Sequence, residues 1–366
     1  MPVIMPNDQN NQSLTIAQQR HLALQRPSSL VRRGLTALAT LERIIHFPED
    51  REVGSLHFDG KSVAAKGEVR VPRTSDVGLD VHNRGIENLA FLGKLGTKDI
   101  QSLTLNDHPT DIELAYISNL SQLTGLNLYI CGHEITDDGL AYLAKLLQLN
   151  TLYLDFSGSW AEITDMGLSH LAQLKQLTKL GIDGPCEHIT DIGLAYLTDS
   201  LSQLTSLRLK ECGITGDGLA HLAKLPKLAS LSLSGIEITN NLLMNIANIP
   251  QLTELNLEGN SYDMDYNYGR GGNRMDAELA YLAATIPQLN SLSLFGRQDI
   301  SDAGLAHLVK MPQLKHLDIC FCGQITDAGL AHLAKLPKRT SILIDKLVGE
   351  KKITDAGLAH FYASRK

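Results

Sequence analysis

Apolar positions along the chain fall into two alternating patterns. One spaces leucines as an amphipathic helix does, as in ITDAGLAHLAKL from Ile325. The other, L-x-x-L-x-L, alternates as a strand does, as in Leu149, Leu152, Leu154 and in Leu314, Leu317, Ile319. The two recur together with a period of about 25 residues. Near-copies of the helical pattern begin at Ile135, Ile163, Ile189, Ile214 and Ile300, with weaker ones at Ile238 and Asp276 and a truncated one at Ile353. Degenerate copies occupy 86–95 and 111–120. With the first helical leucine as marker, the series runs Leu89, Leu114, Leu140, Leu168, Leu194, Leu219, Leu243, Leu279, Leu305, Leu330, Leu358, which makes eleven units, complete or partial. This regularity predicts one elongated α/β solenoid, although 366 residues would ordinarily suggest two or three globular domains.

Each unit carries its own punctuation. Thr or Asp supplies a helix N-cap, and Asp favours the positive end of the helix dipole. Pro226, Pro250, Pro287, Pro312 and Pro337 share one equivalent position where a missing N–H stops a helix. Three residues past the last strand leucine stands Cys131, Cys212, Cys322 or Asn260.

In these respects the units from Ile86 to Phe361 resemble leucine-rich repeats, specifically the cysteine-containing subclass. The resemblance implies a horseshoe with parallel strands on the concave face, helices on the convex face, and a leucine core shared between neighbours. The near-identical ITDAGLAHLAKLP copies further resemble leucine-rich-repeat proteins of bacteria that live inside eukaryotic cells. That likeness implies an effector, or a regulator of effectors, acting in the cytoplasm or in the host cytosol.

Strand geometry makes the concave face readable. Residues between the strand leucines are Thr104, Asn127, Tyr153, Gly181, Arg208, Ser232, Asn256, Ser293 and Asp318. Just beyond them are Asn106, Tyr129, Asp155, Asp183, Lys210, Ser234, Glu258, Phe295 and Cys320, with Phe156 and Phe321 one step further. Aromatic residues are only 5% of the chain, yet Tyr129, Tyr153, Phe156, Phe295 and Phe321 gather here beside Asp155, Asp183, Arg208, Lys210, Glu258 and Asp318. Aromatic anchors flanked by carboxylates suit a protein interface. Phe156 and Phe321 also have an inward alternative, as phenylalanines of the core. From Leu243 to Leu279 the marker spacing stretches to 36 residues, through a tyrosine-rich insertion at 259–275. Its Tyr262, Tyr266, Tyr268 and Arg270 have the chemistry of an adaptable binding loop. Asp263, Asp265 and Asn267 resemble the start of a calcium loop, but Tyr268 and Arg274 stand where glycine and glutamate are required.

Composition removes several function classes. A net charge of −7 argues against nucleic acid or an anionic membrane as partner. No run of about 18 apolar residues predicts a membrane span. Five cysteines, Cys131, Cys186, Cys212, Cys320 and Cys322, are odd in number and lack metal-like double spacing, which suits reduced thiols. His170, His221, His307, His332 and His360 fill one slot of the repeated helix, where other copies have Tyr142, Tyr196 or Tyr281, so repetition explains them without a metal. No phosphate loop or hydrolase motif is present, and no cofactor is expected.

Residues 1–85 read as a helical region and a degenerate cap, with GLTALATL at 34–41 like the repeat helix and one strand over 54–63 through Leu56 and Phe58. An independent helical module is the alternative. Residues 86–366 form the repeat domain. The whole predicts a non-enzymatic, monomeric scaffold that binds a protein on its concave face. The alternative is an F-box-like adaptor that recruits substrates to a ubiquitin ligase, although helical Leu14–Ile45 lacks the Leu-Pro start and Trp of that motif. An enzyme with its site in the insertion is a third class.

Overall fold

The computed structural model describes residues 42–81, 89–106, 109–130, 135–157, 162–259, 275–344 and 353–365. The chain enters through β1 (Glu42–His46), β2 (Gly54–Phe58), β3 (Lys61–Ala64), β4 (Glu68–Pro72) and β5 (Gly78–Val81). β1 pairs antiparallel with β4, and β2 lies antiparallel between β3 and β5. The single strand expected over 54–63 is therefore a hairpin. Asp59 and Gly60 turn it, both with positive φ (49° and 73°), a combination that short polar residues and glycine tolerate. The helical character expected up to Ile45 also fails where it can be checked, because Ile44 and Ile45 lie in β1. Residues 1–41, including GLTALATL, lie outside the described residues.

From β5 onward every pairing is parallel. The strands are β6 (Ser102–Leu105), β7 (Gly125–Tyr129), β8 (Thr151–Asp155), β9 (Lys179–Asp183), β10 (Ser206–Lys210), β11 (Ser230–Ser234), β12 (Glu254–Glu258), β13 (Ser291–Ser293), β14 (His316–Asp318) and β15 (Ser341–Leu343). Between them run α1 (Asp111–Ile117), α2 (Asp137–Leu143), α3 (Asp165–Leu171), α4 (Asp191–Ser200), α5 (Asn240–Ala247), α6 (Asp276–Thr285), α7 (Asp302–Leu308), α8 (Asp327–Leu333) and, last, α9 (Asp355–Ser364). Ala90–Lys94 and Gly218–Lys224 wind as 3₁₀ segments instead. Among the described residues this gives one sheet of 13 strands in sequential order from β5 to β15, with β2 and β3 added at its first end. The fold is the α/β leucine-rich-repeat solenoid that the sequence resembles.

Register is fixed by leucine columns. Leu126, Leu152, Leu180, Leu207, Leu231, Leu255, Leu292 and Leu317 are in-register neighbours across eight strands and are at most 2% exposed. Slipping any strand by one residue would turn its leucines outward. The prolines do less than expected. α2 and α3 have Leu147 and Lys175 at the proline position yet span seven residues, as do α7 and α8 before Pro312 and Pro337. The buried residue just before, Leu146, Leu174, Met311 or Leu336, turns the chain back toward the sheet in either case.

One polar arrangement ties successive helices together. The Asp that opens each helix accepts two hydrogen bonds from the N-cap Thr of the next unit. Thr136 donates its N–H and Oγ1 to Asp111 at 3.0 and 2.8 Å. Thr164 does so to Asp137 (2.9 and 2.6 Å), Thr190 to Asp165 (2.7 and 2.6 Å) and Thr215 to Asp191 (2.8 and 2.7 Å). The pattern resumes with Ser301 on Asp276, Thr326 on Asp302 and Thr354 on Asp327. Each Thr oxygen also accepts an N–H of its own helix, the ordinary capping bond. The glycine of I-T-D-x-G leaves room for the neighbour's carboxylate, since a Cβ on Gly139 would lie 1.9 Å from Asp111 Oδ1. The ladder is interrupted at two successive junctions, before Thr239 and before Met275. At the first, Gly216 replaces the Asp, and Leu242, fully buried, takes the glycine place of the next unit; at the second, Asn240 replaces the Asp and Met275 the Thr.

Two outcomes follow from the ladder. Gly139→Ala should cost about 1–3 kcal/mol by crowding. In an Asp111→Ala background it should become neutral or stabilise by about 0.5–1 kcal/mol, since alanine then only improves the helix. Urea unfolding of the four proteins measures this, and equal costs in both backgrounds would show that the carboxylate is not what demands glycine. The Asp327 carboxyl is held below its ordinary value by the Thr354 hydroxyl and then by the Thr354 N–H. Its contribution is therefore complete above the unfolded carboxylate value and is lost as pH falls through the depressed folded value. Amide protection in α9, corrected for intrinsic exchange, should fall in that acid window, and Asp327→Asn should remove the step.

Candidate functional site

The open face of the sheet carries the two predicted columns, and the structure groups them unevenly. Its polar centre lies on β7 to β10. Asp183, 3% exposed, is surrounded by donors: the Tyr153 hydroxyl at 2.6 Å and Arg208 Nε at 2.8 Å from each carboxylate oxygen. Gly181 makes the arrangement possible, because a Cβ there would lie 2.4 Å from Tyr153 Cδ2. The Tyr153 ring thus lies across β9 to reach Asp183. Tyr129 flanks it, with ring centroids 6.0 Å apart and tilted by 59°.

The electrostatics follow from this packing. Burial pushes the Tyr153 hydroxyl well above its usual range, and the bond to Asp183 and the negative charges of Asp183 and Asp155 add to the effect. Burial opposes the charge on Arg208, but Asp183 more than compensates and the guanidinium stays firmly protonated. Glu211, at φ 54°, follows β10 and lies 3.8 Å from Lys210. Burial, then Asp183 and Asp155, raise its carboxyl against the pull of Lys210. Sequence analysis did not select Glu211; the signal was its place directly before Cys212, at the turn off the strand.

Further along, Glu258 and Asp318 are half-buried on the same face, and Asp318 Oδ1 accepts the Cys320 N–H at 2.9 Å. The Phe295 and Phe321 rings meet at a tilt of 57° with centroids 5.0 Å apart, both half-buried. Phe156 is a correction: it is fully buried and leaves the candidate face. Its N–H donates to the Asp183 carbonyl at 2.6 Å, so strand pairing continues one residue past β8 and alternation points the ring inward. Phe321, at the same offset, has φ 59° and breaks that alternation. Tyr262, Tyr266, Tyr268 and Arg270 lie outside the described residues, as do Cys131 and Trp160.

The cysteines at Cys212 and Cys322 are buried beneath the turns. The Cys322 thiol, bonded to the Leu294 carbonyl at 3.1 Å, is pushed by burial to about 12. That of Cys212 is raised by a contact with Cys186 and by burial. Thiols so deprived of their thiolate are poor nucleophiles. No group of three metal-ligating side chains occurs among the described residues. None of the described helices is long and apolar enough to cross a membrane.

A family model described as Leucine Rich repeat matches residues 201–223 and 310–334. No curated protein matches the chain. Among solved structures, a chain of the Rad7 and Elc1 complex from yeast is 18% identical over 71% of this chain and 80% of its own, with a TM-score of 0.44. An internalin (inlF) from Listeria monocytogenes is 19% identical over 77% and 91%, with a TM-score of 0.40. An internalin C2 from the same species is 25% identical over 49% and 80%, with a TM-score of 0.35.

The Asp183 cluster yields a direct expectation. Asp183→Ala leaves Arg208 and Tyr153 without their acceptor and should cost about 1–3 kcal/mol, toward the lower end because Arg208 keeps contact with water. In Asp183→Asn, NMR titration of ring-labelled tyrosine should show Tyr153 ionising at lower pH than in the parent, yet above an ordinary tyrosine, since burial is the larger cause. An unchanged titration would show that Asp183 does not act on it.

Proposed function

For this leucine-rich-repeat solenoid we propose a non-enzymatic role: it binds a protein partner on the open, concave face of the sheet. The observation that carries the reading is the Tyr129, Tyr153, Asp183 and Arg208 cluster. Four adjacent strands contribute one side chain each, and hydrogen bonds hold Tyr153 and Arg208 in single orientations. Pre-ordered aromatic and arginine side chains lose little entropy on binding, which is the property of interface anchors. Asp155, Lys210, Glu258 and Asp318 supply the charged surroundings, and Phe295 with Phe321 a second apolar anchor. The tyrosine-rich insertion follows β12 in the sequence, and its Tyr262, Tyr266, Tyr268 and Arg270 are included in the proposed surface for their chemistry. Residues 42–81 act in this reading as the cap of the first end, where β2 and β3 continue the sheet antiparallel and cover the first leucine column.

The near-identity of the repeat copies supports the finer reading of a bacterial effector or effector regulator working in a host cytosol. The adaptor alternative would place a helical docking motif within residues 1–85; residues 42–81 are strands, and 1–41 lie outside the described residues.

Affinity capture with the full chain tests the binding reading. Tyr129→Ala with Tyr153→Ala should lose the captured protein, and deletion of 261–274 should weaken its capture. A helix-side variant, Met166→Ser with Ile192→Ser, should retain it, both parent residues being exposed and apolar. Full retention by the sheet-face variants with loss in the helix-side variant would overturn the proposal.

A further inference from the structure

We propose that the open sheet face seats an arginine side chain of the protein partner, stacked on the Tyr129 ring and paired with the Asp155 carboxylate. The inference rests on the protein-binding reading and names the chemistry of the partner. Tyr129 and Asp155 are in-register neighbours on β7 and β8, so about 4.8 Å separates their backbones. The tyrosine is 39% exposed although Leu128 and Ile130 on either side of it are buried. Asp155 is half-buried, and one of its oxygens accepts the Ser157 N–H at 2.9 Å. Among the described residues no lysine, arginine or histidine forms an ion pair with it.

The chain shows the complete arrangement one repeat further on. Asp183 holds on β9 the place that Asp155 holds on β8. Its cation, Arg208, comes from the next strand, in the column between the leucines, and meets both carboxylate oxygens at 2.8 Å. The residue with that relation to Asp155 is Gly181, in register with Arg208. Glycine brings no side chain, and the Tyr153 ring across it excludes one. Asp155 therefore repeats the acid of the internal pair at a position where the described residues supply no base. A guanidinium suits the place better than an ammonium ion: it is planar, stacks on a tyrosine face and can use both oxygens of a carboxylate.

The test uses the full chain with ring-labelled tyrosine, titrated by NMR with acetyl-Gly-Arg-Gly-amide and with its citrulline and lysine counterparts. The arginine peptide should shift the Tyr129 resonance saturably. The neutral citrulline peptide should bind about tenfold more weakly or not at all, and lysine should fall between. Asp155→Asn keeps an oxygen for the Ser157 N–H, so the turn is retained, and it should lose about tenfold in affinity for the arginine peptide. Asp199→Asn, on α4 at the helix side, should leave that affinity unchanged. Equal binding of citrulline, an undiminished Asp155→Asn, or lysine binding as tightly as arginine would each overturn the proposal. Self-association of the chain that Asp155→Asn abolishes would do so too, by giving the seat to a second copy. The two readings fail separately. Capture lost with the Tyr129 and Tyr153 variants but unaffected by Asp155→Asn would leave the protein-binding reading intact and remove the arginine. A saturable, Asp155-dependent shift alongside capture indifferent to the sheet face would do the reverse.

Discussion

Six of the nine α-helices described, α2 to α4 and α7 to α9, begin against a carboxylate that belongs to the unit before. The Asp–Thr pair does two jobs at one point: it satisfies amide donors that a helix N-terminus leaves open, and it sets the offset between one unit and the next. Leucine contacts are adaptable and tolerate small sliding; a carboxylate accepting both an N–H and a hydroxyl at under 3.1 Å is far less tolerant. The stacking of helix on helix inherits that offset, while the leucine column keeps the strands in register even where the pair is missing. A solenoid has only nearest-neighbour contacts, so the precision of each junction decides the geometry of the whole.

The division of labour explains why the sheet face is free to differ from unit to unit. Ladder, core and turn consume Ile, Thr, Asp, Gly, Leu and Cys in fixed places and leave the positions between the strand leucines without a structural duty. At those positions the chain carries residues as unlike as Tyr153, Gly181, Arg208 and Ser232, in register on adjacent strands. Small neighbours matter as much as large ones. Tyr153 reaches Asp183 only because Gly181 lies beneath its ring.

Much of this architecture was legible in the sequence because periodicity reports directly on repeat, element type and facing. The strand columns, and so the membership of the sheet face, follow from alternation alone. Alternation fails where the backbone leaves the strand: Phe156 and Phe321 sit at the same offset, and only hydrogen bonding at one and a left-handed φ at the other decide which ring turns inward. The pairing of Tyr153 and Arg208 with Asp183 joins residues 30 and 25 positions apart, a relation no local pattern encodes. The Thr and Asp of the motif were readable as a capping signal within one helix, but their bond to the adjacent unit and the purpose of the glycine needed three dimensions. Residues 42–81 read poorly for a simpler reason: they lack the repeat, and isolated apolar residues such as Ile44 and Ile45 fit helix and strand alike.

The interruption at Gly216 and Leu242 shows what the heritable part of such a protein is. Gly216 brings no carboxylate to its junction, and buried Leu242 packs against it from the other side; the two residues belong to different repeats but to one junction. Units from Ile135 to His188 present the same surfaces before and behind, so they can be duplicated or excised as cassettes without altering any junction type. A unit cut at Ile214 or Ile238 cannot, because Leu242 set behind an aspartate would occupy the carboxylate's place. Growth and loss of repeats are thereby confined to stretches where the faces match, and the odd junction acts as a fixed bookmark in an otherwise extensible array.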